Sequence, residues 1–460
     1  MRRGFHEKKW YARILLVGAF VLTVAMGTLE AQEMRSITLR EAIQVALENN
    51  IELQLSSNRV AASQLHVQQA KADFYPDLSA SASASRGYRR GVDGIADQTE
   101  GMDSQAFNLR LSSGESVTLF SGFGKVASLD RSKVDLATTQ KSQSRTRQSV
   151  VFQTISRYLG VVLDKELILS EQENLKAQRQ QLARIEEFYK AGNRPVADVL
   201  QQKASIAQAE LRLLAAERSY DVGKLELLRT MGLEATVDYE VAGLPIEQMA
   251  SDLVSRPPDQ LVVSESAKRP DFQAQELRID AASEQVRAAR SGYWPALSLS
   301  ASAGSDYASR SHAGGFSDQF FDSNPNAQIG VSLSIPLFDR YETKHNVAQA
   351  QVQLANERLD LEDLKQQISF EVQQAVLDYQ TATKELDVAE AQLGFARQAL
   401  EAAEGRYNVG ASTLVELAQS RAQYVAAVNG RVKARYSLLL GRVAVDYYQG
   451  DLNRMLALFE

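Results

Sequence analysis

Residues 341–408 read YETKHNVAQAQVQLANERLDLEDLKQQISFEVQQAVLDYQTATKELDVAEAQLGFARQALEAAEGRYN, and no proline follows Pro336. Alanine, glutamine, glutamate, leucine, lysine and arginine lose little rotamer freedom in a helix, and nothing in the run removes a backbone donor. At about 1.5 Å per residue this helix would be roughly 95 Å long, far beyond an ordinary globular helix. The pattern breaks once, at Tyr407-Asn408-Val409-Gly410-Ala411-Ser412-Thr413, and resumes to about Tyr448.

The same plan occurs earlier in the chain. Tyr189-Lys190-Ala191-Gly192 matches Tyr407-Asn408-Val409-Gly410 at an offset of 218 residues. Val117-Thr118-Leu119-Phe120 matches Ile335-Pro336-Leu337-Phe338 at 218, and Phe74-Tyr75-Pro76 matches Tyr293-Trp294-Pro295 at 219. Anchors in one order and nearly one register predict two structural repeats: residues 32–231 and 270–460. Each holds a short helix, two strands, a very long helix, a tight turn and a return helix. Between them, 232–269 breaks the periodicity and carries Pro245, Pro257 and Pro258. It is expected to pack as a connector against the middle of the helices.

The strand segments alternate with period two. Leu78, Ala80, Ala82 and Ala84 interleave with Ser79, Ser81, Ser83 and Ser85, and the second repeat does the same with Leu297, Leu299, Ala301 and Ala303. Strands are expected over about 75–90, 105–120, 294–308 and 326–338. One apolar face and one small polar face suit a membrane barrel with a wet lumen, but taken alone the strands favour a surface sheet of a soluble protein. Tyr75, Phe120, Trp294 and Phe338 at the helix-side ends favour the membrane, as interface aromatics. Four strands cannot close a barrel, so several chains must share one; three would give twelve strands.

Residues 1–31 have a basic front (Arg2, Arg3, Lys8, Lys9, Arg13) and an apolar core from Ile14 to Gly27, as a secretory signal does. The chain has no cysteine, hence no disulfide and no thiol for a lipid anchor. Its four histidines show no metal-ligand spacing, and no Ser/His/Asp constellation is visible, so neither catalysis nor a cofactor or metal is expected. The net charge of −6 becomes about −9 without residues 1–31, which argues against nucleic acid as a partner.

Taken together these residues resemble the TolC-like outer-membrane efflux family. The carriers are Leu39-Arg40-Glu41-Ala42, the aromatic-Pro-x-Leu runs at 75–78 and 294–297, Pro336-Leu337-Phe338-Asp339, and the two Tyr-x-x-Gly turns, each with an acidic residue six positions after its glycine. The resemblance covers essentially all of the chain after residue 31. It implies a mainly α fold with β: a homotrimer with a 12-stranded barrel in the outer membrane of a Gram-negative bacterium. A long α-helical barrel would continue it across the periplasm. It implies an exit duct of a tripartite efflux or type I secretion system, whose partners are a periplasmic adaptor, an inner-membrane pump and outer-membrane lipid. The alternative is a soluble periplasmic coiled-coil scaffold.

The resemblance also assigns residues. The turns at 189–196 and 407–413, with Gly192, Asn193, Gly410, Ala411 and Ser412, would dock the adaptor. Glu416 and Gln419 would line an iris-like constriction; a ring of three Glu416 carboxylates attracts cations, so cation binding or protonation would tune it. Asp198 and Tyr407 match positions that link the two hairpins in the closed state. The arginine expected to join them is Ser412 here, and Arg194 and Arg406 are the nearby cations.

Overall fold

The structure is a computed structural model that describes residues 35–89, 104–236, 239–255, 268–309 and 314–459. The expected signal, residues 1–31, lies outside them. The chain opens with β1 (Arg35–Ile37) and α1 (Leu39–Asn49). Thr38 caps α1: its hydroxyl accepts the Glu41 N–H, and the Glu41 carboxylate reaches back to the Thr38 N–H at 2.9 Å. Asn50 ends α1 and caps α2 (Ile51–Ala72) through a bond from the Leu53 N–H.

Four strands form one antiparallel sheet: β2 (Asp77–Arg89), β3 (Ser104–Ser121), β5 (Ala296–Ala308) and β6 (Asn326–Ser334). Their order is β2-β3-β5-β6, so β2 and β6 are open edges. The register brings Ser81 opposite Ser112, Gly114 opposite Ser302, and Ser300 opposite Gly330 on one face. The other face collects Ala82 with Leu111, Val117 with Leu299, and Leu299 with Val331; its charged members are Arg86 and Glu115. At the loop end Phe316 packs on Tyr307 and Ser305 donates to the Phe320 carbonyl; elsewhere no described residue covers the apolar face, and Leu78 and Ile329 are 73% and 80% exposed. β6 ends at Ser334 rather than near 338, because Pro336 lacks the N–H that a further ladder bond needs.

Each sheet half feeds a 67-residue helix, α3 (Gly124–Lys190) or α7 (Glu342–Asn408), about 100 Å long. Each turns back as a shorter helix, α4 (Val196–Thr230) or α8 (Leu414–Gln449). Near the strands α3 runs between α2 and α6 (Pro270–Arg290): Gln143 bonds Ser57, and Arg287 pairs with Asp130 at 3.0 Å. Farther along, α3 runs between α4 and α8: Ser219 bonds Asp164, and Tyr436 bonds Glu166.

The main core lies where these layers meet. Val150, Ile155, Tyr158, Leu227, Leu439 and Met455 are all nearly or completely buried there. The connector joins this core. Its β4 (Tyr239–Val241) pairs in parallel with β1, Ile246 at the start of α5 (Ile246–Ser255) is buried, and Tyr158 donates to the carbonyls of Ile37 and Ala242. After α8 a left-handed Gly450 (φ 81°) leads into the short α9 (Leu452–Ala457).

Candidate functional site: the paired helix turns

The far ends of the two helical hairpins come together. Both turns close in the same way. Gly192 has φ 75°; its N–H bonds the Tyr189 carbonyl, and the Asn193 N–H bonds that of Phe188. Gly410 has φ 77°, with bonds from Gly410 to Tyr407 and from Ala411 to Arg406. These are six-to-one and five-to-two closures of a helix end, which need a left-handed residue. Pro195 stands just outside α4 as its N-cap, where a missing N–H costs nothing. Thr413 caps α8, its hydroxyl accepting the Glu416 N–H at 3.3 Å.

A small apolar cluster joins the hairpins. Ile185 and Val199 from the first meet Ala403, Tyr407, Leu414 and Leu417 from the second. Tyr407 is 2% exposed. Arg194 lies over its ring, 4.2 Å from the centroid, and donates to the Tyr407 carbonyl at 2.8 Å. The same guanidinium stands 3.9 Å from the Asp198 carboxylate. The Tyr407 hydroxyl is buried close to Asp198 but makes no well-formed hydrogen bond in the chain. Burial raises its pKa; Arg194 acts the other way, and the Asp198 carboxylate adds to the rise.

Asp198 and Tyr407 are thus brought together, and the cation between them is Arg194. Arg406 is exposed and makes no ion pair among the described residues. Ser412 donates instead to the Glu416 carboxylate at 2.6 Å, a bond within its own turn. Glu416 and Gln419 are exposed, as are Asn193 and Ala411. Between the tip and the main core, the seam of α3 with α8 is polar. Glu171, 5% exposed, accepts from Asn429 at 2.9 Å, and Asn429 also accepts from Ser170 at 2.7 Å. Nothing in the sequence marked that seam, because its partners lie about 260 residues apart.

At the other end, Tyr75, Trp294 and Phe338 are 73%, 57% and 73% exposed beside the strand ends, and Phe120 packs edge-on against Phe123. No group of His, Asp and Glu among the described residues could hold a metal. No described helix is long and apolar enough to cross a membrane.

The family model described as Outer membrane efflux protein matches residues 42–233 and 261–450. Outer membrane protein TolC of Escherichia coli (strain K12) is 24% identical over 424 residues, covering 90% of this chain and 82% of TolC. Outer membrane efflux protein BepC of Brucella suis is 23% identical over 434 residues, covering 94% and 89%. The solved structure of CusC superposes with a TM-score of 0.77 at 18% identity, covering 90% of this chain and 92% of CusC. The open-state MtrE channel of Neisseria gonorrhoeae gives 0.70 at 18% identity, covering 90% of each. Two segments of the chain, together most of its length, fit one family model, and the protein belongs to the outer membrane efflux protein family.

Proposed function

We propose that this protein is the outer-membrane exit duct of a tripartite efflux or type I secretion system, working as a homotrimer. The observation that carries this reading is the four-stranded sheet with two open edges, one apolar face and one polar face, mostly serine and glycine with Arg110 opposite Asp306 toward the loop end. An uncovered apolar sheet in water would aggregate. In lipid, with its edges closed on neighbouring copies, it becomes a barrel wall. Three chains supply twelve strands around a lumen lined mostly by small polar groups.

The helices support the same closure. On α7, Val352, Leu359, Phe370, Leu377, Val388 and Phe395 are each more than 60% exposed. Their spacings alternate between 7 and 11 residues. Each 18-residue pair of steps is five turns at 3.6 residues, so the six lie along one stripe of a straight helix. The facing surface on a neighbouring copy would be α2, with Ile51, Leu55 and Leu65, and α4, with Leu200, Leu211 and Leu214, all exposed here. The soluble scaffold gives neither surface a partner.

The matching helix lengths, turns and junctions, 218 residues apart, support two structural repeats per chain. The hairpin tips form the gate. In the closed state Arg194, Asp198 and Tyr407 hold the two hairpins of a chain together, and Glu416 with Gln419 face the narrowed passage. Opening turns the α7–α8 hairpin away from α3–α4 as an iris. Gly192, Asn193, Gly410, Ala411 and Ser412 offer the exposed turns to a periplasmic adaptor, which couples an inner-membrane pump. Tyr75, Phe120, Trp294 and Phe338 sit at the periplasmic rim of the lipid. The protein does no bond chemistry.

Reconstitution into solute-loaded liposomes tests the duct. Release of small solutes that rises on breaking the tip contact is expected; liposomes that stay sealed with wild-type and Arg194→Ala protein alike would contradict it.

A further inference from the structure

Positions 122 and 340 share one backbone conformation and carry different side chains. Gly122 (φ 58°) and Phe123 (φ 65°) lead into α3, and Arg340 (φ 55°) and Tyr341 (φ 66°) lead into α7. Phe123, Arg340 and Tyr341 are the only non-glycine residues with positive φ among those described. Glycine takes this conformation freely and arginine does not, so something must favour arginine at 340.

The neighbours of Gly122 show what surrounds such a step. A Cβ there would lie 2.6 Å from the Ser291 carbonyl oxygen and 2.6 Å from the Trp294 Cβ. The first strand-to-helix step thus packs on the start of the chain's own second sheet half, where Ser116 pairs with Ser300 and Ser121 with Ala296. Arg340 has no such neighbour in its own chain, because β6 is an open edge. Arg340 is exposed and makes no hydrogen bond or ion pair among the described residues. At the opposite edge the side chain of Asp77, the first residue of β2, is likewise exposed and makes no hydrogen bond or ion pair among the described residues.

We propose that β6 of one copy pairs antiparallel with β2 of the next in the register that the β3–β5 pair sets within the chain. Shifting the β3 side by +218 and the β5 side by −219 converts Ser116–Ser300 into Ser334 opposite Ser81. It converts Ser121–Ala296 into Asp339 opposite Asp77, with Arg340 as the counter-ion between these two carboxylates. This rests on the closed-barrel reading above.

Two observations agree with this register. It sets Ile335 and Leu333 beside Ala80 and Ala82 on the apolar face, and Ser334 and Ser332 beside Ser81 and Ser83 on the polar face. A one-residue slip would invert both. It also accounts for the change from glycine to arginine. Within the chain, Ser121 faces Ala296 and no cation is needed. Between copies, two carboxylates face each other, which is unfavourable without a cation. Asp339 is fixed in place, accepting the Thr343 N–H at 2.9 Å. A guanidinium fork suits a site between two carboxylates. Since a Cβ does not fit at the in-chain step, the step between copies stands wider, and the Arg340 side chain fills the gap.

The chain has no cysteine, so introduced pairs read cleanly. Ser81→Cys/Ser334→Cys protein, purified in detergent and oxidised with copper phenanthroline, should give a reducible ladder ending at a covalent trimer. Ser79→Cys/Ser334→Cys, on the same face but slipped by two residues, should cross-link at least ten-fold less. Equal or stronger linking of the slipped pair overturns the register, as does no linking by either pair in protein that native mass spectrometry shows to be trimeric. A monomer by that measurement overturns the barrel reading itself. For the counter-ion, Arg340→Gln should lower the temperature at which the trimer dissociates in detergent, and adding Asp77→Asn should restore it. No change on Arg340→Gln, or a further drop on adding Asp77→Asn, overturns the assignment.

Discussion

Arg194 lies across the face of Tyr407, 4.2 Å from the ring centroid, and donates to the same residue's carbonyl at 2.8 Å. The two residues belong to different hairpins and are 213 positions apart. A stacked guanidinium that also makes a charged hydrogen bond contributes about 1–2 kcal/mol at a partly buried site. Arg194→Ala should shift the closed–open balance of the tip by roughly ten-fold per chain. Arg194→Lys, which keeps the charge without the planar fork, should fall between the two. Open probability in single-channel records checks this, and identical records for all three proteins would remove Arg194 from the gate.

Glu416 is expected to set ion preference more than stability. Its side chain is exposed and held by Ser412 at 2.6 Å, while its backbone N–H is held by Thr413. Glu416→Gln keeps a hydrogen-bond acceptor for Ser412 and removes the charge. Reversal potentials in a salt gradient should show weaker cation preference with little change in melting temperature.

Gly410→Val acts on the backbone alone. A Cβ at Gly410 would meet nothing within 4 Å, so the cost is the left-handed φ of 77°. That strain is about 1–2 kcal/mol for a β-branched residue, and less for Gly410→Asn. Affinity for the adaptor should drop for Val and change little for Asn. Wild-type affinity in both would separate the turn from docking.

Asp446 gives the fold a pH dependence of unusual sign. It is 1% exposed, with an ion pair to Arg442 at 3.2 Å and both carboxylate oxygens otherwise unsatisfied. Burial pushes its pKa up to about 6 against 3.8, with Arg442 only partly opposing. The folded state therefore holds the proton more tightly than the unfolded one. This contribution to stability is full below about pH 4 and is lost as pH rises through about 6, by on the order of 3 kcal/mol. Asp446→Asn should flatten that fall and stabilise the protein at pH 7–8. Thermal melts of both proteins from pH 4 to 8 decide it; parallel curves would contradict the assignment.

The long helices and their turns were legible because they are local. Proline-free composition, and Gly192 and Gly410 at the breaks, each act within a few residues. The strands were legible from period two, except where Pro336 ended β6 early. The three-residue pairing of β1 with β4 was not, since so short a ladder leaves no pattern. At the tip, Asp198 and Tyr407 could be named from the resemblance. The stacking of Arg194 on Tyr407 is a tertiary contact between distant turns, and no periodicity announces it. The left-handed Arg340 and Tyr341 were hidden for a related reason: only the glycine at 122 advertises that conformation, and it does so in the other half of the chain.

The most direct test of the duct is single-channel recording of detergent-purified protein in a planar bilayer, with its native mass measured on the same sample. The account predicts a trimer with small, cation-preferring conductance and low open probability. A monomer that extracts without detergent and conducts nothing would contradict it, and would leave the apolar sheet face and the α7 stripe to another partner.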